Sequence, residues 1–131
     1  LRLKRTAMPE LPDLEVYFQG IDNDALSEWL GDALGGALAP APRGAGWAAQ
    51  HGDLSLRLTA RALGAWHALG LEPASLTPWG TDQALGEALA AAFPTAKLRY
   101  AAEPWAEGEA LEADRFFEWQ GQAWREIPWK G

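Results

Sequence analysis

The chain contains no cysteine, only two histidines and three serines, and no apolar run longer than Ala88 to Phe93. Each shortage removes a class of chemistry. Without cysteine there is no disulfide, thiolate zinc site, iron–sulfur cluster or thiol nucleophile. The missing staple is no handicap at 131 residues, because a chain of that length matches one ordinary domain and buries about two-thirds of the surface it exposes when unfolded. None of Ser27, Ser55 and Ser75 sits in a Gly-x-Ser-x-Gly elbow, so serine nucleophile chemistry has no motif. Gly31 to Gly36 lacks the Gly-Lys-Ser/Thr ending of a phosphate loop and reads as a helix terminus. The apolar run is far too short to span a bilayer. Leu1-Arg2-Leu3-Lys4-Arg5 is basic, as a signal peptide begins, but Met8-Pro9-Glu10-Leu11-Pro12-Asp13 follows where the apolar stretch should be. The expectation is a cytoplasmic protein without a membrane partner.

Positive charge is also scarce. Eleven bases face eighteen acids, for a net charge of −7, and three of the bases are Arg2, Lys4 and Arg5. The rest of the chain therefore sets eight bases against eighteen acids. A body that acidic repels phosphate backbones, so no nucleic-acid partner is expected. Solubility alone is a sufficient reason for such a charge. Glu103, Glu107, Glu109, Glu112 and Asp114 lack the Asp-x-Asp-x-Asp-Gly order of a calcium loop and read as a solvated loop. No metal and no cofactor are expected.

Periodicity organises what remains. Leu14 to Gln19 is rich in strand formers and closes at Gly20. Asp22-Asn23-Asp24 offers N-cap side chains, and Leu26, Trp29, Leu30, Ala33 and Leu34 then follow at helical spacing until Gly35-Gly36. Residues 37–46, with two prolines, read as a loop. Leu54, Leu56, Leu58 and Ala60 alternate with Ser55, Arg57, Thr59 and Arg61, the period of a half-buried strand. Trp47 to His51 is expected to pair with it through Gly52-Asp53, and Ala65 to Leu71 to add a third member, although residues 58–69 also fit a helix. Thr77-Pro78 and Thr81-Asp82 both suit the start of a second helix carrying Leu85, Ala88, Leu89, Ala92 and Phe93, stopped by Pro94. Lys97 to Ala101 reads as a strand, Glu103 to Asp114 as a loop, and Arg115 to Ile127 as a hairpin turning near Gln120-Gly121. The order predicts an α+β fold, a mainly antiparallel sheet with two helices on one face, ferredoxin-like or a related sandwich. Residues 1–13 are expected to be a tail and residues 14–131 one domain.

Two short stretches carry resemblances. Val16-Tyr17-Phe18-Gln19-Gly20 resembles the recognition sequence of a viral protease used to remove purification tags; the strand reading is preferred, with Leu1 to Ala7 the segment most open to a non-native origin. Met8-Pro9-Glu10-Leu11-Pro12-Asp13-Leu14-Glu15 resembles the N-terminus of the formamidopyrimidine-DNA glycosylase family. That resemblance implies a nucleophilic proline amine at Pro9, assisted by Glu10. It covers eight residues. Seven residues precede Met8, the cysteines of the family's zinc finger are absent, and the body is acidic, so glycosylase activity is not the expectation.

The candidate functional residues are few. His51 beside Asp53 reads as a surface turn, and His67 next to Trp66 as a structural histidine or a polar group in a pocket. Of eight tryptophans, Trp29, Trp47, Trp66, Trp119 and Trp124 fall inside expected elements, where each buries roughly 150–250 Å². Trp79, Trp105 and Trp129 each follow a proline in a loop or at an element end. A stiff backbone can hold such rings at the surface as anchors for a partner, or the rings can seal the ends of the sandwich. Two readings result. The first is a non-catalytic acidic interaction domain that presents Trp79, Trp105 and Trp129 to a protein partner, a basic one among the options. The second is a small-ligand binder or enzyme with a Trp-lined pocket, in which Glu103 or Glu118 and His67 supply the polar groups.

Overall fold

The computed structural model describes residues 13–101 and 115–128. Its elements are β1 (Leu14–Gln19), α1 (Asn23–Leu34), β2 (Ala41–Arg43), β3 (Gly46–His51), β4 (Leu54–Leu63), β5 (Trp66–Glu72), a 3-10 turn (Ala74–Leu76), α2 (Asp82–Ala92), β6 (Lys97–Ala101), β7 (Arg115–Gln120) and β8 (Ala123–Pro128). The eight strands form one sheet ordered β2-β3-β4-β5-β1-β6-β7-β8, and every neighbouring pair is antiparallel.

β1 lies between β5 and β6, its Leu14, Val16 and Phe18 no more than 2% exposed. A strand so placed is the centre of the fold, which settles how the protease-like stretch is used. β1 and β4 both run antiparallel to β5 and are therefore parallel to each other with β5 between them. Together with α1, α2 and β6 this is the split strand–helix–strand connectivity of ferredoxin-like sheets. The hairpin β2–β3 widens one edge and β7–β8 the other. Residues 41–43, expected as loop, form the short strand β2 instead, because Ala41 and Arg43 face Ala48 and Gly46 across a tight turn. The segment 58–69 that also fits a helix is strand: β4 continues to Leu63, breaks register after Thr59 and turns into β5. The acidic stretch from Glu103 to Asp114 lies outside the described residues.

The two helices begin and end as their sequences demand. Asp22 accepts the N–H groups of Asp24 and Ala25 at 3.0 and 3.1 Å, and Gly35 ends α1 with φ of 86°, the left-handed cap that favours glycine. Thr81 accepts the Ala84 N–H at 3.0 Å to start α2. Leu26 and Leu30 from α1, and Leu85 and Leu89 from α2, are fully buried with Leu14, Val16, Phe18, Leu56, Leu69 and Leu98 from one face of the sheet.

α2 can lie this low because Gly86 has no side chain. A Cβ there would stand 2.8 Å from Cδ2 of Tyr100, itself 5% exposed. Gly86→Ala exchanges a gain in helix propensity of about 1 kcal/mol for overpacking that typically costs about 1–3 kcal/mol. The expected outcome is a net loss of stability, read as a lower urea midpoint with an unchanged slope.

Candidate functional site

Charge is sorted between the two sides of the molecule. The helices carry acids and no lysine or arginine: Asp24, Glu28 and Asp32 on α1, Asp82 and Glu87 on α2. Spacings of four residues set Asp24, Glu28 and Asp32 along one outward stripe. Among the described residues these three carboxylates make no ion pair. A surface depression of about 730 Å³ opens beside them, lined also by Ser27, Gly31 and the chain returning at residues 35–38. The opposite face of the sheet is different. By strand register it carries Arg43, Arg57, Lys97, Arg99 and Arg125 against Glu15, Glu72 and Glu118, five bases to three acids in a chain whose net charge is −7.

Aromatic rings mark the helix layer. Trp79 stacks on Trp29 of α1 with centroids 5.4 Å apart and planes 19° from parallel, and Trp29 meets Phe93 edge-on at 6.2 Å. All three are half-buried, resting on the core while keeping part of their surface in solvent. The approach to Trp79 is rigid: Thr77 Oγ1 donates to the Ala74 carbonyl at 2.8 Å and accepts the Gly80 N–H at 3.1 Å. Asp32 is one turn from Trp29 on α1, so the aromatic patch and the acidic stripe adjoin. A second group lies past α2 at the β8 edge, where Tyr100 packs on Phe117 and Trp124 at 5.4 and 5.3 Å and Trp119 on Trp124 at 5.5 Å. The Trp119 indole N–H donates to the Pro94 carbonyl at 3.0 Å.

The sheet face away from the helices holds a buried polar cluster. Arg99 and Glu118 are each 8% exposed. The guanidinium donates to Glu118 Oε2 through Nη2 at 2.8 Å and Nε at 2.9 Å, and lies 4.3 Å above the Trp66 ring. Beside them the Tyr17 hydroxyl donates to Glu15 Oε1 at 2.9 Å. Burial, then the Glu15 carboxylate, raises the Tyr17 pKa far above the ordinary phenol. Burial, with Glu87 and Asp82 behind it, pushes Tyr100 up to about 12. Both phenols therefore stay neutral in the folded protein at a pH where the unfolded chain ionises, so stability present below pH ~10 declines as pH rises toward 12. Tyr100→Phe is expected to flatten this alkaline decline, checked by urea midpoints across that range.

Of the residues singled out from sequence, Trp79 sits in the aromatic patch, while Trp105, Trp129, Glu103, Pro9 and Glu10 lie outside the described residues. His67 is elsewhere. It is half-buried on the helix-facing side of β5, 5.4 Å from the Phe18 ring, and its Nδ1 accepts the Arg61 N–H at 3.0 Å. Arg61 has φ of 54° at the β4 irregularity, so His67 braces a strained backbone. Glu118 is on the other sheet face, and the fold does not bring it together with His67. Trp29, assigned to the scaffold, does pack against the core; what the sequence reading missed is its stacking with Trp79 and the absence of any base from both helices. The second was visible once the helices had been delimited.

Among the described residues no cluster of histidine, aspartate and glutamate could hold a metal ion, and no helix is long and apolar enough to cross a membrane. Comparison with family models, curated proteins and solved structures finds no match to this chain.

Proposed function

We propose that the protein is a non-catalytic interaction domain whose helix layer receives a basic segment of a protein partner. The observation that carries this reading is the adjacency of the Trp29–Trp79 stack to the stripe of Asp24, Glu28 and Asp32 on helices without a single base. A lysine or arginine side chain can lay its charged head on the stripe and its stem or guanidinium plane against an indole. The stack is already formed and its backbone approach is held by Thr77, so little ordering entropy is lost on binding.

An acetylated, amidated nonapeptide of arginine is a direct probe, followed by tryptophan fluorescence. Trp79→Ala is expected to weaken its binding tenfold or more, about 1.4 kcal/mol or above. Reversing Asp24, Glu28 and Asp32 to lysine is expected to abolish it, while Glu72→Lys on the far sheet face leaves it within a few-fold. Equal losses from Trp79→Ala and Glu72→Lys would reduce the interaction to diffuse charge and refute a defined site.

A further inference from the structure

Among the described residues no strand covers the outer edge of β8, which supplies a second surface. β7 and β8 are joined by Gly121-Gln122, both with φ of 64°, as a two-residue hairpin of the I′ kind requires. In such a hairpin the flanking pair, Gln120 and Ala123, exchanges both ladder bonds, and pairs then alternate. Ala123, Arg125 and Ile127 thus turn their N–H and C=O groups toward β7, opposite Gln120, Glu118 and Phe116. Trp124 and Glu126 turn theirs outward. Pro128 falls in the outward set too, where its missing N–H costs no ladder bond. Among the described residues β8 ends the sheet, and Ala123, Arg125, Glu126 and Pro128 are exposed.

We infer that this edge takes an extended peptide from another protein as a ninth strand, one reading apolar–acidic–apolar. The side chains flanking the edge specify that chemistry. On the helix side, Trp124 and Trp119 form a half-exposed shelf for the two apolar residues. On the other side Arg125 stands exposed. Its cross-strand neighbour Glu118 is engaged with Arg99 at 2.8 Å, and among the described residues Arg125 makes no ion pair. An acidic residue directly opposite it completes the pair. Glu126 already faces Arg115 at 3.3 Å and calls for no base. A second copy of this chain fits poorly: antiparallel self-pairing that uses both outward N–H groups sets Arg125 against Arg125. Main-chain bonds supply affinity and alternate side chains supply selectivity.

The probe is the peptide acetyl-Lys-Thr-Val-Asp-Val-Thr-Lys-amide, with binding read by tryptophan fluorescence. In the paired register both valine N–H groups point at β8, while those of the aspartate and threonines point away. N-methylation of the two valines is expected to weaken binding tenfold or more, and N-methylation of the aspartate and second threonine to leave it within a few-fold. Glu126→Pro removes one outward N–H, no main-chain bond to β7 and, of its side-chain contacts there, the exposed ion pair with Arg115, so it is expected to fold with an unchanged circular dichroism spectrum and to bind at least tenfold more weakly. Arg125→Glu is expected to reject this peptide and to accept its lysine-for-aspartate analogue. Equal affinity for the two methylated peptides, or no binding to the unmodified one, overturns the proposal. So does a wild-type dimer that Glu126→Pro dissolves, which would give the edge to a second copy.

Discussion

Glu118→Ala is expected to lower stability by about 3–5 kcal/mol, the range for removing one member of a buried ion pair. Arg99 and Glu118 are 8% exposed and 2.8 Å apart. Removing the carboxylate takes from a buried guanidinium the counter-charge that Glu118 supplies and two hydrogen bonds, at 2.8 and 2.9 Å. The cation–π contact with Trp66 stays, but contributes only about 0.5–2 kcal/mol. Replacing both residues by apolar ones of similar volume, Arg99→Met with Glu118→Leu, is expected to cost far less than Glu118→Ala alone, since both desolvation penalties disappear together. Urea unfolding of the two variants measures the contrast. A single variant within about 1 kcal/mol of wild type would mean that the pair is solvated.

Gly46→Ala is the second large effect. A Cβ at Gly46 would stand 1.9 Å from the Leu58 carbonyl oxygen and 2.8 Å from its carbon. The obstacle is backbone, in the part of β4 that carries the Leu58 side chain at 2% exposure. No rotamer change relieves it. Either β3 swings away and opens the pairing of Trp47 with Leu58, or the core around Leu58 is pushed aside. The expected cost lies at or above the top of the ~1–3 kcal/mol that overpacking usually brings. Because among the described residues β2 pairs only with β3, the damage should appear first as lost amide protection in β2 and β3, ahead of β1 and β5. Protection lost evenly across the sheet would place Gly46 in the global core instead.

The helices were legible because their signals are local. Asp22, Thr81 and Gly35 act within a few residues of themselves, and the capping bonds of 3.0–3.1 Å fall where those side chains predict. The pairing of β3 with β4, and of β7 with β8, follows from alternation and from turns at Gly52 and Gly121. The run from Leu58 to Leu69 was ambiguous for a physical reason. These strands are built from leucine and alanine rather than valine and isoleucine, and such residues suit a helix equally well. The break in register at Arg61 then hid the period of two. Strand β2 was missed because three exposed residues with a central proline carry no burial signal. The candidate site was half legible. Proline before Trp79 pointed to a fixed ring, but its partner Trp29 is 50 positions away in sequence, and only tertiary structure joins them.

The central claim is that the helix layer, acidic and aromatic, is the binding surface. Its most direct test is a backbone and indole amide NMR titration with the arginine nonapeptide. The account predicts that the shifts concentrate on α1 from Asp24 to Asp32, on the indole N–H signals of Trp29 and Trp79, and on residues 77–80, with the strands left unmoved. Shifts scattered in proportion to exposed carboxylates, with both indole signals unchanged, would contradict it.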